Sequence, residues 1–173
     1  PKLRLQNCYC NEIQTNQKYQ FSFEHTPKHF TLKAEGLYTT ENIGKKILIK
    51  DGQIKLRITN VDPFNKTIET IAETPGSVKN KNGCNAPGIQ LGLKSISQKD
   101  KQDLDFALSQ NIDIISLSFI HNQKDLIELK GIVKDKSKIL AKIETQAAVQ
   151  NIDSILKHAD YCMIARGDLG VEI

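Results

Sequence analysis

The sequence predicts an α/β chain in two parts, a β-rich first half followed by alternating strands and helices. Three observations carry this reading. Between Gln17 and Val78 apolar residues recur with a period of two; after Gly88 the spacing turns helical, broken by short apolar runs; and strand ends fall near Ser118, Lys142 and Ala165, 24 and 23 residues apart. Composition is that of a globular chain, with 24 Lys and Arg against 20 Asp and Glu in 173 residues, 39% of them apolar. No apolar run approaches the roughly 18 residues of a membrane span. A net charge of +4, with no Lys/Arg stripe or interleaved aromatics, argues against a nucleic-acid partner. Four scattered cysteines, Cys8, Cys10, Cys84 and Cys162, point to a reducing compartment, the cytoplasm, rather than to a disulfide scaffold. The start at Pro1 and the stop at Ile173, with no terminal helix, read as a segment of something longer.

The elements follow in order. Tyr19, Phe21 and Phe23, then Ile47 and Ile49, then Ile54, Leu56 and Ile58 alternate with polar residues and predict half-buried antiparallel strands. Asp51-Gly52 between the last two runs supplies the positive φ angles of a tight hairpin turn. Pro63, Asn65 and Lys66 make a second turn before a strand at Thr67 to Ala72, and 74–82 is loop. Ser97 with Asp100 has the spacing of a capping box and opens a helix of about three turns. Ile112 to Ile120 is a nearly continuous apolar run, suited to a strand buried on both sides. A helix at Asp125 to Lys134, a strand at Lys138 to Ile143, helical text from Thr145 to Lys157 and a strand at Asp160 to Ala165 complete the pattern. Such units form right-handed βαβ crossovers, in a doubly wound sheet or in a (β/α)8 barrel; periodicity does not choose between them.

Chemistry gathers at the carboxyl ends of these strands, the end of the sheet where α/β folds carry their sites. Lys142 and Glu144 stand at i and i+2 and so project from one face, and Arg166-Gly167-Asp168 ends the next strand. Two carboxylates with a lysine between them suit a hard divalent cation, Mg²⁺ or Mn²⁺, which takes one or two carboxylates and completes its octahedron with water and substrate oxygens. The same residues would also make a structural ion pair of Lys142 with Glu144 or Asp168.

Longer words carry a resemblance. The run from Ala165 to Glu172 (Ala-Arg-Gly-Asp-Leu-Gly-Val-Glu), Lys142-Ile143-Glu144, Ser118-Phe119-Ile120, the run from Asn82 to Gly88, and Pro1-Lys2-Leu3-Arg4 fall in the order and spacing of the pyruvate kinase family, which this chain resembles along essentially its whole length. The resemblance implies a partial (β/α)8 TIM barrel with an inserted small antiparallel β-barrel lid domain. Residues 1–5 would end the third barrel strand, 6–82 form the lid, and 83–173 supply strands four to six. It implies transfer of a phosphoryl group from phosphoenolpyruvate to ADP, by an enzyme of which this segment alone is inactive and which is usually a homotetramer. Glu144 and Asp168 would hold the divalent ion, and Lys142 would face the phosphoryl group. Ala165, Arg166, Gly167, Asp168, Ser118 and Phe119 would line the substrate mouth, with the backbone N–H groups of Gly167 and Asp168 receiving the substrate carboxylate. Arg4 and Lys81 would meet the nucleotide. Lys2, where many members carry glutamate and need K⁺, would supply that positive charge itself and make K⁺ unnecessary.

Departures from the family pattern fall on the nucleotide side. Lys50 precedes Asp51-Gly52 where a second acidic residue is usual, Asn82 precedes Gly83 where a basic residue is usual, and Lys94 replaces a proline. Cys84 and Ala86 stand in place of larger apolar residues. Two other classes compete. Metal-dependent lyases and aldolases acting on pyruvate-like skeletons share the Ile-Glu-Thr word, and Cys8, Cys10, His25 and His29 loosely resemble a zinc module, although Pro27 between the histidines would break a zinc-finger helix.

Overall fold

The structure is a computed structural model that describes residues 2–173 and falls into two compact units, Lys2–Leu93 and Lys94–Ile173. Pro1 lies outside the described residues.

The first unit is built on nine strands: β1 (Leu3–Arg4), β2 (Glu12–Ile13), β3 (Lys18–Ser22), β4 (Phe30–Thr31), β5 (Lys46–Ile49), β6 (Ile54–Asp62), β7 (Thr67–Ala72), β8 (Gly76–Ser77) and β9 (Gly83–Asn85). Seven of them form one sheet in the order β1-β9-β5-β6-β7-β3-β4, and β2 pairs with β8. The period of two does what it should: Tyr19 and Phe21, Ile47 and Ile49, Ile54, Leu56 and Ile58 all turn into one core with Phe30 and Leu32. The β5–β6 turn has the expected form. Gln53 N–H donates to Lys50 O at 3.2 Å around Asp51 and Gly52, whose φ angles are 53° and 83°. The second turn is closed by Asp62, whose Oδ1 accepts the Phe64 and Asn65 N–H groups, each at 3.0 Å.

One pairing corrects the fully antiparallel expectation. β3 and β4 run parallel, because the chain turns back around Pro27, with His29 N–H donating to Thr26 O, and meets β3 again in its own direction. The sheet's two outer strands also meet. Just past β1, Gln6 N–H donates to Thr31 O at 3.0 Å and Thr31 N–H to Asn7 O at 3.3 Å, joining β1's continuation to β4. A sheet closed in this way leaves no open edge along that join.

The second unit contains α1 (Gln98–Ser109), β10 (Ile114–Leu117), α2 (Gln123–Val133), β11 (Lys138–Ile143), α3 (Gln146–Gln150), α4 (Ile152–Leu156), β12 (Tyr161–Ile164) and α5 (Arg166–Glu172). The three strands are parallel in the order β10-β11-β12, with Leu117 opposite Ala141 and Ile143 opposite Ile164. Ser97 caps α1 through the predicted box with Asp100. A second box, Asn122 with Asp125, starts α2 at Gln123, earlier than its apolar spacing suggests. Leu126, Leu129 and Val133 of α2, Ile139, Ala141 and Ile143 of β11, and Ile155 of α4 form the core.

Three expectations need correction here. The 145–157 text breaks into two helices at Asn151, whose side chain donates to Ala147 O (2.9 Å) and His121 O (3.1 Å) and so ends one helix while tying it to the turn after β10. The 112–120 run is strand only at Ile114–Leu117 and is not buried on both sides, Ile114 being 45% exposed, since one face of β10 packs on the core and the other is uncovered. Finally, a terminal helix does exist, α5, with Asp168 in its first turn. Among the described residues no helix is long and apolar enough to cross a membrane.

Candidate active site

Parallel pairing of β10 with β11 ends at Leu117 and Ala141, and side chains continue it beyond that point. Lys142 Nζ donates to Ser118 Oγ at 3.2 Å, Phe119 N–H donates to Glu144 Oε2 at 2.8 Å, and Thr145 Oγ1 donates to Ile120 O at 2.8 Å. These rungs hold two diverging strand ends together and present a lysine and a carboxylate at the mouth. Thr145 serves twice, since its Oγ1 also accepts Ala148 N–H and caps α3.

Glu144 is fully buried, with Lys142 Nζ 2.5 Å from its Oε1. That contact is one of charge rather than an aligned hydrogen bond, so Oε1 has no hydrogen-bond partner although it is shut away from solvent. A buried carboxylate oxygen in that condition depends on a nearby cation, here the Lys142 ammonium. The structural ion pair weighed above is therefore present, between Lys142 and Glu144, and it leaves ligand capacity unused. Asp168 lies half-buried past the end of β12, the strand paired with β11, and the described residues hold no group of three or more His, Cys, Asp or Glu that could hold a metal. Glu144 and Asp168 follow the ends of the paired strands β11 and β12.

Around them, Ala165 N–H donates to Ile143 O at 3.1 Å and so fixes the start of the Arg166-Gly167-Asp168 turn on β11. Arg166 and Gly167 are exposed, and a Cβ built on Gly167 would meet nothing within 4 Å, so a ligand can approach the main chain there. A cavity of about 410 Å³ lies along the unpaired edge of β10, with Ser116, Ser118 and Leu104 in its lining.

Phe119 holds more than the sequence indicated. Its φ is 53°, a left-handed conformation that costs a bulky residue about 1–2 kcal/mol. Its main chain reaches the Glu144 carboxylate through the N–H, and no feature of the letters Ser-Phe-Ile announces this.

The first unit brings Arg4 and Lys81 together, since Arg4 Nη1 donates to Lys81 O at 3.1 Å. Lys2 Nζ lies 2.9 Å from Asp51 Oδ1, on the hairpin turn, with its stem across Gly83. The zinc alternative finds no support. Among the described residues no group of three or more His, Cys, Asp or Glu could hold a metal ion, and burial pushes the Cys8 thiol up to about 11.

Parallel strands with a lysine and a buried carboxylate just beyond their ends place these polar groups where α/β folds carry their sites. The sequence model described as "Pyruvate kinase, barrel domain" matches residues 3–173, and the chain belongs to the pyruvate kinase family. It is similar, at 36% identity over 153 residues, to pyruvate kinases of Staphylococcus aureus strains MRSA252, USA300 and NCTC 8325, with 87% of this chain and 26% of each relative covered. The chain thus spans about a quarter of the length of these curated relatives. Membership of this family disfavours the lyase and aldolase reading.

Proposed function

We propose that the full-length protein transfers the phosphoryl group of phosphoenolpyruvate to ADP, giving pyruvate and ATP. The observation that carries this is the buried Glu144 oxygen without a hydrogen bond, beside Lys142, in a chain of the pyruvate kinase family. Glu144 and Asp168 would hold Mg²⁺ or Mn²⁺, which supplies neutralisation of phosphoryl and enol oxygen charge. Lys142, tethered through Ser118, keeps its ammonium at the strand mouth, where it offsets charge on the phosphoryl group as the bond to the enol oxygen breaks and a bond to an ADP phosphate oxygen forms. The Gly167 and Asp168 main chain receives the substrate carboxylate, with Ala165, Arg166, Ser118 and Phe119 around it.

In this reading the β-rich unit is the lid inserted after the third barrel strand, residues 6–82, and 83–173 contributes strands four to six. The pairing of β1 with β9 supports an insertion, because entry and exit strands lie side by side. Arg4 and Lys81 approach the nucleotide phosphates. Lys2 replaces the monovalent cation, so K⁺ is not required. Four free cysteines support a reducing, cytoplasmic setting, and the assembly is the tetramer usual in the family.

The test uses the full-length protein in a coupled assay for pyruvate. Lys142→Met should lower kcat by several orders of magnitude with a small change in KM, because its charge is needed most in the transition state. Near-normal turnover would refute the assignment. The same assay in tetramethylammonium buffer, with and without KCl, reads the Lys2 proposal: the wild type should not respond, and Lys2→Glu should acquire K⁺ dependence.

A further inference from the structure

The turn after β10 is pinned on both sides of Phe119, at Ser118 by Lys142 and at Ile120 by Thr145. In a continued strand the Phe119 N–H would go to a backbone carbonyl of β11; here it is donated to Glu144 Oε2 at 2.8 Å, with residue 119 left-handed at φ 53°. A bulky residue holds that conformation only when its surroundings over-determine it, and such strain gathers at functional sites. The consequence lies on Glu144. One oxygen is fixed by an amide, and the other, buried and without a hydrogen bond, is the one beside Lys142.

We propose that Phe119 is a positioning residue for Glu144, acting through its main chain: the left-handed turn aims the amide that locks Oε2 and so presents Oε1 to the divalent cation. This rests on the reading of Glu144 as a metal ligand given above. The ring of Phe119 is then secondary, and the backbone conformation is the working part. Substitutions should sort by their tolerance of positive φ rather than by size or apolarity. Glycine adopts such angles freely and keeps the N–H, whereas β-branched valine resists them.

The experiment is Mn²⁺ binding to the full-length protein, followed by the electron paramagnetic resonance signal of free Mn²⁺, with no turnover involved. Phe119→Gly should bind Mn²⁺ within about threefold of wild type, and Phe119→Val about tenfold or more weakly, the range typical of losing a partner that orients a metal ligand. Circular dichroism and thermal melting establish that Phe119→Val is folded, and Phe119→Gly keeps the test decisive if it is not. Equal losses in both variants, or no loss in Phe119→Val when folded, overturn the proposal. Glu144→Gln is the control: if it binds Mn²⁺ as wild type does, the metal reading of Glu144 fails and this proposal falls with it. If Glu144→Gln loses Mn²⁺ while the Phe119 variants fail to sort by φ tolerance, only the role of Phe119 is refuted.

Discussion

A fully buried carboxylate is destabilising unless charge and hydrogen bonds compensate it, and Glu144 draws on one of each, Lys142 and the Phe119 amide. Under the proposed function the pair would be both functional and structural, and the two roles can be separated by measurement. Lys142→Met removes the counter-charge and should lower unfolding stability by about 1–3 kcal/mol, less than for a wholly buried pair because the lysine side chain is one-quarter exposed. Adding Glu144→Gln removes the stranded charge. The double variant should regain most of that stability, as read by denaturant midpoints, while remaining inactive. If it is no more stable than the single variant, the ion pair is not what Glu144 depends on.

At the scale of elements, the start of β12 is tied to β11 by Asp160, whose carboxylate accepts the Ile139 N–H (2.9 Å) and the Lys138 ammonium (3.2 Å). These bonds, the backbone one first, hold its carboxyl below the ordinary carboxylate range. A lowered folded-state value means that the contribution is complete above the unfolded-state value, about pH 4, and is lost as pH falls through the folded one. Acid titration of stability should therefore be shallower below about pH 4 in Asp160→Asn than in wild type; identical slopes would remove Asp160 from the acid response. How legible these elements were depended on where their determinants lie. Ser97 with Asp100, Asp51 with Gly52 and the run Lys138–Ile143 act locally, so their letters suffice. The break at Asn151 depends on the carbonyl of His121, 30 residues away, and the parallel β3–β4 pairing on where a loop delivers the chain. Helix α5 was hidden because its two glycines argue against a helix, which it nonetheless forms. In the site, Lys142 and Glu144 were readable from their spacing, but the strained Phe119 backbone and the Glu144 oxygen that meets Lys142 without an aligned hydrogen bond are products of packing alone.

For the molecule as a whole, β10 and β12 each keep one unpaired edge within the three-stranded sheet. Ile114, Tyr161, Met163 and Ile164 are each about half exposed, so part of the sheet's apolar surface is uncovered. If the proposed phosphoryl transfer needs a more enclosed site than these few strands provide, millimolar Mg²⁺ with phosphoenolpyruvate should give no rise in the melting temperature of the isolated segment, and a clear rise would show that residues 1–173 bind phosphoenolpyruvate by themselves. The first unit stands differently. Its chain enters at β1 and leaves at β9 through directly paired residues, Leu3 with Cys84 and Arg4 with Gly83, one strand spacing of about 4.8 Å apart. The two ends of the unit therefore lie as close together as the ends of a hairpin loop. The entropy of closing so long a loop is offset inside the unit by the sheet that its own strands form.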